Sequence, residues 1–136
     1  MSTHALHHSE NRKPSSTLNS NLTTATKITV SNTVTWSSDT YFGASGNQRI
    51  IKYGKICFLH LCFAIKTTVN SGGIVCSLPK GFFPKAKSSN YATVVYSKGQ
   101  SASFPIAFDI KADGQIILRT TTAACEVELN SVYETD

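Results

Sequence analysis

Acidic side chains are scarce in this sequence. Eight Asp and Glu stand against thirteen Lys and Arg in 136 residues, so charged residues make up only 15% and the net charge is +5. Four cysteines in a domain of ordinary size exclude a dense disulfide framework. No run approaches the roughly 20 apolar residues that span a bilayer as a helix. The first 30 residues lack a charged start followed by an apolar block, so no signal peptide is read there. The expected origin is therefore cytosolic, with reduced thiols and no membrane partner. A sustained 3.6-residue period is missing as well, which argues against amphipathic helices. There is no G-x-S-x-G elbow, no P-loop and no dinucleotide glycine motif, which removes the commonest catalytic signatures.

What the chain has is β-forming residues and turn punctuation. Thr, Val and Ile are frequent, and Gly, Ser and Asn break them into short runs. Its length suits one compact domain. Residues 1–27 are polar and rich in Ser, Thr and Asn, too poor in apolar groups to offset the entropy of ordering, and are expected to form a flexible arm or linker. His4, His7 and His8 there lack thiolate or carboxylate partners. From residue 28 to 136 the pattern is that of a β domain. Ile28, Val30, Val34 and Trp36 mark one or two strands, and residues 40–55 read as a long loop or irregular edge. Ile56 to Ile65 is the longest apolar run, and Ile74 to Leu78 a short strand. Pro79, Gly81 and Pro84 make LPKGFFPKAK a loop held by its aromatics. Tyr91 to Tyr96 is a strand, followed by a turn at Lys98-Gly99-Gln100. FPIAFDI alternates, with Phe104, Ile106, Phe108 and Ile110 on one face and Pro105, Ala107 and Asp109 on the other. Asp113-Gly114 fits a type I′ hairpin turn, after which Ile116 to Thr121 returns. CEVELNSVY (125–133) closes the domain with Cys125, Val127 and Leu129 inward and Glu126 and Glu128 outward. Seven to nine short strands without a helix predict an all-β fold, an antiparallel β-sandwich or jelly roll.

The stretch CFLHLC (57–62) holds two cysteines and the one histidine of the 28–136 region. In a strand, successive side chains point to opposite faces. Cys57 therefore parts from both His60 and Cys62, and no second ligand pair completes a tetrahedral site, so no metal and no cofactor is expected. A Cys–His dyad needs a thiol in electropositive surroundings, and all four cysteines lie in apolar ones. No enzyme activity is expected. The cations are scattered through loops rather than gathered in a stripe, which argues against nucleic acid, although Tyr41, Phe42, Arg49, Lys52 and Tyr53 partly fit a single-strand platform.

Both faces of the 56–65 strand are largely apolar, with Cys57, Leu59, Leu61, Phe63 and Ile65 on one and Ile56, Phe58, His60, Cys62 and Ala64 on the other. An antiparallel sandwich strand normally shows water one polar face. The second face therefore needs a cover, either another subunit seated on Phe58, His60 and Cys62 or a loop of the same chain.

The phrase SLPKGFFPKA, then FPIAFDIKADGQIILRT and a closing strand ending SVYETD, resembles the C-terminal heads of phage tail-fibre and baseplate receptor-binding proteins. Leu78, Pro79, Gly81, Phe82, Pro84, Ile110, Asp113, Gly114, Ile116 and Tyr133 carry the likeness, which spans 28–136. It implies a jelly-roll head, a homotrimer, on the virion (phage tail or surface), made in the host cytoplasm and binding host cell-surface polysaccharide without catalysis. Such heads follow a stalk or anchoring domain. Here the sequence puts a polar arm first, which implies either a fragment or a small protein that meets other virion proteins through residues 1–27. Sugar sites combine an aromatic face with planar polar groups. Trp36, Asp39, Tyr41, Asn47, Gln48 and Arg49 form one candidate and Asn90 with Tyr91 a second; the alternative assigns Trp36 and Tyr91 to the core and the others to solvated loop. Two other functions stay open: a structural decoration or baseplate protein without ligand, and a trimeric ligand domain of the C1q/TNF type.

Overall fold

A computed structural model describes residues 27–96 and 105–136. The expected arm (apart from Lys27), the Lys98-Gly99-Gln100 turn and Phe104 lie outside the described residues. Within them are ten strands and no helix: β1 (Ile28–Ser31), β2 (Thr35–Trp36), β3 (Phe42–Ala44), β4 (Arg49–Tyr53), β5 (Ile56–Ile65), β6 (Ile74–Ser77), β7 (Ser88–Tyr96), β8 (Ile106–Ile110), β9 (Gln115–Leu118) and β10 (Cys125–Glu134). They hydrogen-bond in the order β1-β4-β5-β10-β7-β8-β9-β6-β2, with β3 also on β5, and every pairing is antiparallel.

The continuous sheet curls at β7. Its C-terminal half pairs with β10 through Thr93, Val94 and Tyr96, and its N-terminal half pairs with β8 from Ser88 to Ala92. One long strand thus serves two layers, and its pairing with β10 shifts register where Glu126 faces Tyr96 but Val127 faces Val94, leaving one extra residue in β7. Aromatic rings tie the layers together. Phe63 of β5 lies 5.6 Å from Trp36 of β2 and 5.7 Å, edge on, from Phe108 of β8. The expected β-sandwich is the observed architecture, with its core where alternation puts it. Cys57, Leu59, Leu61, Phe63 and Ile65 of β5 are buried with Val127 and Leu129 of β10 and Ile106, Phe108 and Ile110 of β8.

Two local expectations are corrected. Of the two readings of residues 40–55, the long loop is the one corrected and the irregular edge holds, for they supply β3 and β4, both on the same edge of β5. The register shifts between them, Ala44 facing Phe63 but Arg49 facing His60, so the intervening residues bulge out. Gln48 repairs the gap: its Nε2 donates to the Cys62 carbonyl at 2.5 Å and its Oε1 accepts from the Cys62 N–H at 3.0 Å. A side-chain amide stands in for a peptide group, so glycine-rich, polar sequence still completes a ladder. A Cβ on Gly46 would meet Cys62 Cβ at 2.9 Å, which is why that position is bare.

The hairpin after β8 is not type I′. A type I′ turn needs positive φ at both central residues, yet among the described residues no non-glycine residue has one, and Gly114 sits at φ 86°. Gly114 N donates to Lys111 O and Lys111 N to Gln115 O, so Ala112 and Asp113 centre a right-handed turn and Gly114 alone is left-handed. Asp113 keeps a role, since its Oδ1 accepts the Gln115 N–H at 3.0 Å, and that bond holds its carboxyl below the usual range.

The LPKGFFP loop docks on this turn. Leu78 N donates to Gly114 O at 2.9 Å, and the Phe83 ring covers the Gly114 Cα so closely that a Cβ would lie 2.3 Å from it. Tyr133 donates its hydroxyl to Phe82 O at 2.6 Å, and Lys52 Nζ donates to Gly81 O at 2.6 Å.

Two stability predictions follow from this packing. Gly114→Ala forces a left-handed alanine under Phe83, and the urea midpoint should fall by the equivalent of about 1–3 kcal/mol; an unchanged midpoint would show that the turn relaxes freely. Burial pushes the Cys76 thiol from 9.0 up to about 12 and raises Cys57 and Cys125 as well. Below pH 9.0 both folded and unfolded thiols are protonated and stability is complete; above it the unfolded chain ionises first. Unfolding free energy should therefore decline between pH 9.0 and about 12, and Cys76→Ala should decline less steeply by up to about 1.4 kcal/mol per pH unit.

Candidate functional site

The outer face of β1, β4, β5 and β10 is set by the β5 pairing. Every residue of β5 has a partner in β10, from Ile56↔Glu134 to Ile65↔Cys125. Alternation then sends Phe58 out beside Val132 on one side and Ile51 on the other, and Ile51 meets Val30. Val30, Ile51, Phe58 and Val132 thus form one apolar row across four strands. Phe58 is 46% exposed and Val132 60%, with Ile28, Tyr53 and Ile56 exposed beside them. Tyr53 meets Phe58 edge to face at 5.7 Å. Ile51, Tyr53, Ile56 and Phe58 line a shallow hollow of about 720 Å³.

One step along the strands the same face turns polar. Arg49, His60 and Asn130 share a row through the β4–β5–β10 register. His60 Nδ1 lies 2.6 Å from Asn130 Oδ1, and Asn130 Nδ2 donates to Glu128 Oε1 at 3.2 Å. That chain settles the tautomer: with Nδ1–H donating to the amide oxygen, Nε2 is left to accept from the Cys62 thiol at 3.3 Å. The parity inferred from CFLHLC holds, with Cys57 buried inward and His60 and Cys62 outward. His60 and Cys62 offer two donors, and among the described residues no group of three or more His, Cys, Asp or Glu converges. Burial and the Glu128 charge both raise the Cys62 thiol, the opposite of what a nucleophile requires.

The first set of candidate ligand residues is dispersed. Trp36 is half-buried against Phe63. Gln48 is occupied by the Cys62 backbone, and Arg49 belongs to the His60 row. Asp39, Tyr41 and Asn47 are exposed in the turns before β3 and β4, where the Asp39 carbonyl accepts from Lys66 Nζ at 2.6 Å. The second pair divides by parity. Asn90 points inward, accepting the Ser131 hydroxyl at 2.6 Å and donating to Ser88 O at 3.1 Å. Tyr91 points outward and is 72% exposed.

Around Tyr91 the fold assembles residues that the sequence did not single out. β7, β8 and β9 pair so that Tyr91 faces Ala107, and Arg119 N donates to the Ala107 carbonyl. The neighbouring row runs Ser89–Asp109–Ile117. Alternation places Asp109 on the face opposite Ile106, Phe108 and Ile110, and it does point outward, yet its side chain is only 8% exposed. Ser89 donates to its Oδ1 at 2.7 Å, and Lys87 and Arg119 hold Oδ2 at 4.0 and 3.7 Å. The signal in the sequence was a lone acid in an otherwise apolar alternating strand, but its cations come from the loop before β7 and from the residue after β9.

No family model matches the sequence, and no curated protein does. Among solved structures, the chain is similar to the receptor binding protein (gp15) of Listeria phage PSA, with a TM-score of 0.55 and 18% identity over 96% of this chain and 78% of that chain. At that identity the likeness is one of fold. The resemblance read from the LP-x-GF-x-P phrase and the Asp-Gly hairpin is matched by it: the chain folds like a phage receptor-binding protein.

Proposed function

We propose that this chain is the receptor-binding head of a phage virion, which attaches to host-surface saccharide as a homotrimer and without a catalytic step. The observation that carries the reading is the structural likeness to a phage receptor-binding protein along 96% of the chain. Two features of the surface support it. The apolar row Val30–Ile51–Phe58–Val132 runs unbroken across four strands with Val30, Phe58 and Val132 exposed, and a second copy is a cover of matching chemistry. A separate face, around Tyr91, carries an exposed aromatic among hydrogen-bonding groups, the composition that sugar rings need. Weak contacts of this kind gain strength when three heads engage one surface. Residues 1–27 are then the natural attachment to the rest of the virion.

Light scattering should give three times the 14.7 kDa chain mass. Phe58→Glu, at a site already 46% exposed, should shift the population to monomer while leaving the fold intact by circular dichroism. A wild-type protein that runs as a monomer at micromolar concentration would remove the interface. Binding is tested on an array of bacterial surface polysaccharides, where wild-type protein should retain at least one class. Silence across the array favours the reading without ligand, a structural virion protein that uses the apolar row against a different virion component.

A further inference from the structure

We infer that the saccharide site, on the reading just proposed, is the cradle over Ala107 between Tyr91 and Arg119, with Asp109 as its hydroxyl acceptor. Three residues stand in line across β7, β8 and the residue that follows β9: a large ring, a methyl group and a long cation. With only a methyl group at Ala107, little side-chain bulk stands between Tyr91 and Arg119 in that row. Tyr91, at 72% exposure, offers its face to the C–H side of a pyranose.

Asp109 supplies the polar half. Its side chain is 8% exposed, and such a carboxylate normally has its oxygens hydrogen-bonded. Oδ1 is satisfied by Ser89 at 2.7 Å. Oδ2 is not: Arg119 Nε at 3.7 Å and Lys87 Nζ at 4.0 Å balance its charge from beyond hydrogen-bond length, and among the described residues no other donor reaches it. A hydroxyl entering the cradle finds an acceptor already desolvated. The adjacent hydroxyl of a vicinal diol finds Arg119 and Lys87, both more than half exposed, as donors. Donor to carboxylate and acceptor to cation is the pairing that a vicinal diol presents, so the ligand class is a neutral hexose unit with two free neighbouring hydroxyls. The cradle lies on the β7–β8–β9 face, a different surface from the Phe58 row.

The test uses the full chain and the polysaccharide bound best on the array. Tyr91→Ala removes the platform, and Ala107→Leu adds bulk between Tyr91 and Arg119 without touching a polar group; each should weaken binding by about tenfold or more. Tyr41→Ala and Arg49→Ala, on the other candidate surface, should bind as wild type. Unfolding midpoints confirm that all four variants are folded. Wild-type binding that survives both Tyr91→Ala and Ala107→Leu overturns the cradle while leaving saccharide recognition standing. Binding lost in Tyr41→Ala or Arg49→Ala instead moves the site to the β2–β4 region and overturns it too. A wild-type protein that binds nothing on the array overturns the saccharide reading itself.

Discussion

The β5–β10 ladder is the constraint on which the rest depends. Ten consecutive residues of each strand are paired, Ile56↔Glu134 through Ile65↔Cys125. Because side chains alternate, that one register decides which side of the molecule is core. Leu61 and Phe63 point inward with Leu129 and Val127; a slip by one residue would send them to water and bring Glu128 and Glu126 in. Phe63, so fixed, is the ring on which Trp36 and Phe108 close the second layer. The strands that follow in the sheet inherit their facing from this pair.

The short motif behind the family resemblance turns out to be a packing device. Leu78 bonds the Gly114 carbonyl, Phe83 covers the Gly114 Cα, and Phe82 receives the Tyr133 hydroxyl. Pro84 bridges to Thr135, and Lys85 N donates to Glu134 O. Segments far apart in the chain meet at one end of the sandwich, where a left-handed glycine is needed under an aromatic ring. Residues of this kind are held by the fold's geometry, which explains how a phrase can mark an architecture while saying nothing about its ligand. Recognition has to come from positions that the fold leaves free to differ.

The surface is divided by chemistry. Across β1, β4, β5 and β10 the outer face is apolar at one end and carries the Glu128–Asn130–His60–Cys62 chain at the other. His60 thus has both ring nitrogens engaged within its own sheet, a structural explanation for a histidine that looked like a ligand. Across β7, β8 and β9 the outer face holds a buried carboxylate, bonded by Ser89 and flanked by Lys87 and Arg119, and an exposed tyrosine. A face of the first type suits a protein surface, and a face of the second type suits a hydroxylated ligand.

Much of the scaffold was legible because period-two alternation depends only on neighbours in the chain. The sequence by itself determined the all-β class, the inward and outward faces of β5, β8 and β10, and the separation of Cys57 from His60 and Cys62. It left 40–55 open between a long loop and an irregular edge, because a side-chain amide of Gln48 closing a ladder leaves no periodic trace, and it misjudged the hairpin, because Asp-Gly is compatible with more than one turn. Trp36 and Tyr91 looked alike as exposed-or-core aromatics; only the tertiary structure sent one against Phe63 and left the other in water. It also brought Lys87, Ser89 and Arg119 to Asp109, Ser89 from 20 residues away through the β7–β8 register and Arg119 on the return of the β8–β9 hairpin, pairings between strands that no local pattern records.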